Sequence, residues 1–89
     1  MKLQSLVLKR STIIDGHRTS VSLEDDFWNA LKDIAHKRSE TLSDLIASID
    51  HNREFANLSS ALRVFVLQHY MDQLARKRAM FEQRAITVQ

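Results

Sequence analysis

Arg18-Thr-Ser-Val-Ser-Leu-Glu-Asp-Asp-Phe-Trp28 changes its period midway. From Arg18 to Leu23 the side chains alternate, with Arg18, Ser20 and Ser22 on one side and Thr19, Val21 and Leu23 on the other. From Glu24 onward the spacing is helical, and Phe27, Trp28, Leu31, Ile34 and Ala35 share one face. A strand whose outer face carries only polar, hydrogen-bonding side chains is not stable alone. The sequence offers no obvious partner strand within the chain. The expectation is therefore pairing with the same strand of a second copy, giving a two-stranded ribbon with a polar outer face.

Upstream of that stretch, residues 1–15 read as an arm that can extend the strand. Leu6, Val7, Leu8, Ile13 and Ile14 lie there beside Lys9 and Arg10, and Gly16 marks a turn or bulge that breaks the register before the strand. Downstream, helix one is predicted from about Asp25 to Lys37. Glu24, Asp25 and Asp26 sit at its electropositive start, and Lys37 and Arg38 at its end. Thr41 followed by Asp44 resembles a capping box. It opens a second helix with Leu42, Leu45, Ile46 and Ile49 on one stripe, ending near Asp50 or His51. Residues 51–56 read as a connector. Asn57 or Ser59 can cap a third helix running to Arg78, with Leu58, Ala61, Leu62, Phe65, Val66 and Tyr70 on one stripe. Val64, Leu67, Met71 and Leu74 widen its apolar face enough to suggest contact with a second subunit as well as its own. Residues 79–89 read as a fraying tail. The domain is thus 16–78, mainly α with one short strand. Its core or dimer interface is expected to comprise Val21, Leu23, Phe27, Trp28, Leu31, Ile34, Leu45, Ile46, Ile49, Leu62, Phe65 and Val66.

With 89 residues the chain is one small domain, and dimerisation is a common route to added stability at this size. It contains no cysteine, no proline and one glycine, which excludes disulfides and thiolate metal sites and favours long helices. No apolar run is long enough to span a bilayer, and no secretion signal is evident at the N-terminus, so a soluble, cytoplasmic and nucleoid-associated protein is expected. The net charge of +2 conceals segregation. Residues 1–22 hold four basic side chains against one acidic, residues 23–50 three against seven, and residues 51–89 six against three. Positive charge therefore lies before and in the strand and again in the last helix, which is compatible with phosphate binding by the ribbon. A two-stranded ribbon with a polar outer face also fits the major groove of double-stranded DNA.

Other side chains have simpler explanations. Glu24, Asp25 and Asp26 are accounted for by their place at a helix start. His17, His36, His51 and His69 lack the close pairing of metal ligands, so neither metal nor cofactor is expected. Phe27 and Trp28 fall on the apolar stripe and read as core rather than a base-stacking platform. Arg76-Lys77-Arg78 reads as a solvated helix end, and Arg63 as a partner for an acidic residue of helix one or two, or for one across a dimer. With no nucleophile beside a base, no glycine-rich phosphate loop and no paired carboxylates, an enzyme is not expected.

Strand, helix, turn and capped helix in this order resemble the ribbon-helix-helix family, the Arc and methionine-repressor class. The resemblance rests on Arg-Thr-Ser-Val-Ser-Leu (18–23) before an acidic helix start and on Thr-Leu-Ser-Asp-Leu-Ile (41–46) at the second helix. Within the class the chain is most similar to a bacterial subgroup. That subgroup carries Lys-Arg-Ser (here 9–11), Gly-His-Arg-Thr-Ser (16–20), a Trp in helix one (Trp28) and an added helix beginning Asn-Leu-Ser-Ser-Ala-Leu-Arg-Val-Phe-Val-Leu (57–67). The similarity covers roughly residues 9–70. It departs at Ser39-Glu40, where members of the class usually place a glycine, which puts the turn geometry in question.

The resemblance implies a homodimer whose intersubunit ribbon enters the major groove, with Arg18, Ser20 and Ser22 at base edges. Arginine can donate two hydrogen bonds to guanine, while serine serves several bases. It further implies phosphate contact by the start of the second helix at Thr41, Leu42 and Ser43. Lys9, Arg10 and His17 are candidates for the flanking backbone. Repression of transcription is the role this implies. The rival readings are an antitoxin that regulates its own gene and a protein-binding module that uses the third helix. Pairing of dimers into tetramers on DNA stays open.

Overall fold

The computed structural model describes residues 6–54 and 57–87, with side chains of the last helix to residue 83. Part of the expected arm, residues 1–5, part of the connector, residues 55–56, and the last two residues of the expected tail lie outside it. The described chain forms β1 (Val7–Ile14), β2 (His17–Glu24), α1 (Asp25–Lys37), α2 (Leu42–Asn52) and α3 (Leu58–Thr87). The class and element order are those expected: a two-stranded ribbon followed by helices, the third an addition.

The partner of the ribbon strand is where the expectation fails. β2 pairs antiparallel with β1 of the same chain, in the register Leu8↔Leu23, Arg10↔Val21, Thr12↔Thr19 and Ile14↔His17. What reads as an arm is a strand. The reversal is made by Asp15 (φ 52) and Gly16 (φ 79), both in the left-handed region. Two positive φ values are what a type I′ turn needs, and Asp-Gly is among the sequences that supply them most readily. Of the turn or bulge expected at Gly16, the structure has the turn, and it is the centre of a hairpin.

The inner face of the hairpin lies on the helices. Thr12, Ile14, Val21 and Leu23 are buried, and they join Leu31, Ile34 and Ala35 of α1, Leu45, Ile46 and Ile49 of α2, and Leu62 and Val66 of α3. Phe27, Trp28 and Phe65 pack partly buried against this cluster. The apolar spacing of each helix thus faces one shared core, the arrangement that makes short amphipathic helices stable.

The turn between α1 and α2 closes without glycine. Ser39 adopts φ 56. Its N–H donates to the His36 carbonyl at 3.1 Å, and the Glu40 N–H donates to the Ala35 carbonyl at 3.0 Å. This pair of bonds is the Schellman motif, with serine in the position glycine usually fills. The next helix starts as its sequence suggests, the Asp44 N–H donating to the Thr41 hydroxyl at 3.0 Å. α3 begins in the same way, with the Ser60 N–H donating to the Asn57 side-chain oxygen at 2.8 Å. It continues to Thr87, nine residues beyond the expected end at Arg78, so residues 79–87 are helix rather than a frayed tail. Its distal half leaves the core behind and stretches the molecule to 57 × 33 × 26 Å.

Candidate nucleic-acid interface

Because the pleat alternates, the face opposite the core collects a second set of side chains from both strands. Lys9, Ser11 and Ile13 of β1 stand across from Ser22, Ser20 and Arg18 of β2, and all six are exposed. Arg18, Ser20 and Ser22, the side chains singled out in the sequence, therefore lie in one row on the outer face. Ser11 and Ile13 were not singled out. Asp15-Gly16 carried the signal for them, since it is a hairpin turn that brings their strand alongside.

Charge on this face is unbalanced by design of the surrounding contacts. Two carboxylates at the ends of the ribbon have partners away from its outer face. Glu24 accepts from Arg63 Nε at 2.9 Å, which keeps its carboxyl below the ordinary range chiefly through that hydrogen bond. Asp15, at the hairpin tip, pairs with His51 Nε2 at the end of α2 at 2.7 Å. Among the described residues neither Lys9 nor Arg18 enters an ion pair. The ribbon consequently presents two cations and a row of hydroxyls.

Arg10 is placed differently from its neighbour. It sits on the inner face opposite Val21. Its guanidinium pairs with Asp25, its Nε donates to the Leu23 carbonyl at 3.3 Å, and its Cζ stands 5.1 Å from the centre of the Trp28 ring. With a side chain 15% exposed, Arg10 ties hairpin to helix and does not join Lys9 on the outer face. Lys32 approaches the same indole at 6.0 Å, so the Trp28 ring has cations beside it. His17 is exposed next to the hairpin turn.

The start of α2 borders the ribbon. Ser43 lines a shallow depression of about 230 Å³ together with Ser11, Thr12, Ile13 and Arg18. The two regions expected separately to meet bases and phosphate thus share one surface. The first turn of α2 adds N–H groups whose orientation favours an anion. Among the described residues no group of three or more His, Asp or Glu side chains is placed to hold a metal ion, and no helix is long and apolar enough to cross a membrane.

A polar two-stranded ribbon seated on a capped pair of helices defines a class of small DNA-binding regulators. The chain belongs to the ribbon-helix-helix family: the model of the ribbon-helix-helix domain matches residues 7–70, from the first residue of β1 into α3. That fold is one of DNA-binding regulators in general. No curated protein and no solved structure matches the chain.

Proposed function

We infer that the protein is a homodimeric, sequence-preferring binder of double-stranded DNA that represses transcription. The observation that carries this reading is the outer face of the hairpin. Arg18, Ser20 and Ser22 are exposed in one row, Lys9 and Ser11 stand beside them, and the start of α2 adjoins. A ribbon of this width enters the major groove. There Arg18 donates to a guanine edge and the serines to neighbouring bases, while Lys9, His17 and the first turn of α2 (Thr41, Leu42, Ser43) hold phosphates. Arg10 is committed to Asp25 and Trp28 and is left out of the contact set. Both strands of each ribbon come from one chain, so a dimer offers two ribbons and reads two half-sites. Repression is the simplest action for so compact a regulator, since occupying an operator suffices.

The test is fluorescence anisotropy with the promoter of the protein's own gene and a scrambled duplex, at several salt concentrations, for the wild type and Arg18→Ala. The expected outcome is tighter binding to the promoter, by roughly 5- to 150-fold for one bidentate contact at about 1–3 kcal/mol, and reduction to the scrambled level in Arg18→Ala. Both affinities should fall steeply with salt. Equal binding of both duplexes by wild type and variant would end the proposal.

A further inference from the structure

α3 carries two apolar stripes on opposite sides. One is inward, with Leu62 and Val66 buried and Leu58, Ala61 and Phe65 packed beside them. The other is exposed: Val64 (49% exposed), Leu67 (57%), Met71 (59%), Leu74 (60%) and Phe81 (74%). At 3.6 residues per turn Met71 lies about 180° around the helix from Leu62, so the outward stripe cannot be an extension of the core face. Its spacing alternates four and three residues. Val64, Met71 and Arg78 take one position of a heptad and Leu67, Leu74 and Phe81 the other, which is the a/d pattern of a coiled-coil seam.

We propose that this seam joins two copies of the chain in a parallel two-stranded coiled coil. Charge selects the occupant and its direction. Beside the seam, Lys77 takes a g position and Glu82 the e position five residues later. In a parallel, in-register pair each Lys77 faces the Glu82 of the other copy, giving two reciprocal ion pairs. An antiparallel pair instead brings g positions together, setting Lys77 beside Tyr70 and Lys77 and losing both pairs. Arg78 is the one charged residue at an a position between Val64 and Phe81. Its stem can lie along the seam while its head reaches the edge, and a polar a position of this kind fixes register. The seam runs from Val64 to Phe81, roughly 27 Å of helix. Its first turn, at Val64, lies beside α2, and from Leu67 onward it runs past the last buried residue of α3, Val66. A parallel coil places both hairpins at the same end of the assembly, where one duplex can meet them. The inference builds on the homodimer of the proposed function but not on its DNA contact.

The test uses the full chain without DNA. Sedimentation equilibrium should give two chains for the wild type and one for Leu74→Lys, with the Trp28 emission unchanged because Leu74 lies outside the core. Glu82→Lys should weaken the dimer by roughly tenfold and Lys77→Glu with Glu82→Lys should restore it, as expected for two facing ion pairs. The chain has no cysteine of its own, so orientation can be read directly. Leu67→Cys and Phe81→Cys should each form disulfide-linked dimers alone under mild oxidation, while Arg76→Cys, on the outer side, should not. A monomeric wild type, a Leu74→Lys variant that remains dimeric, or linkage only when Leu67→Cys and Phe81→Cys are mixed would each overturn the proposal. Arg18→Ala separates the two readings, since it should lose promoter binding and keep the dimer.

Discussion

Lys9 and Arg10 are adjacent cations of the same strand, and the pleat sends them to opposite faces. Arg10 holds the Leu23 carbonyl, Asp25 and the face of Trp28, whereas Lys9 stands exposed opposite Ser22. Arg10→Ala should therefore cost about 1–3 kcal/mol in urea unfolding, from a part-buried hydrogen bond and a cation–π contact, and leave the DNA affinity of the folded protein within about twofold. Lys9→Ala should do the reverse, with stability unchanged to about 0.5 kcal/mol and a shallower salt dependence of binding. The same pair explains why β1 was not legible in the sequence. Its inner face is interrupted by Arg10 and Thr12 and its outer face carries Val7 and Ile13, so the alternation that marks β2 is absent. The polar row of β2 was plain because Val21 and Leu23 alternate with Ser20 and Ser22 without exception.

Among the elements, the helices followed from spacing and caps, and α1 runs over the residues expected of it. The strand partner was missed because, although Gly16 marks a turn in the sequence, residues 7–14 lack the clean alternation that would identify them as the strand this turn joins to β2. The far end of α3 was missed for another reason. Residues 79–87 continue the helix, and 79–83 are all exposed, so no core-facing periodicity announces that stretch. The α1–α2 turn shows how an element boundary tolerates an atypical residue. Ser39 holds φ 56 with both bonds of its motif in place, so the departure from glycine leaves the geometry intact and costs energy instead. Ser39→Gly should stabilise the protein by about 0.5–1 kcal/mol by removing the left-handed penalty on a side chain. Thermal unfolding should show a rise of a few degrees in Tm.

At the scale of the whole molecule, hairpin and helices are tied at the tip by Asp15 and His51, residues 36 positions apart in sequence. The hydrogen bond to the Asp15 carboxylate, with its charge and that of Asp50 adding to it, raises the His51 pKa above its ordinary 6.5. A raised folded-state value means the stabilisation is complete below about pH 6.5 and is lost as pH rises through the higher folded value. Glu24 has the opposite sign. Its lowered pKa gives stabilisation that is present above the ordinary 4.5 and is lost as pH falls through the lower folded value. The urea midpoint of the wild type should accordingly decline as pH rises above about 6.5. Asp15→Asn, which keeps a residue tolerant of positive φ, should abolish the share of that decline due to His51. An equal decline in both proteins would assign it to other histidines.

The hairpin within one chain has a kinetic consequence. Val7–Ile14 and His17–Glu24 are separated by two residues, so their closure is a local event on the microsecond scale that no bimolecular encounter delays. The ribbon is encoded in the single segment 7–24, and dilution cannot dissolve it. A newly made chain therefore forms its ribbon without a second copy, at any concentration, and on the proposed reading only the joining of two ribbons depends on how many copies are present.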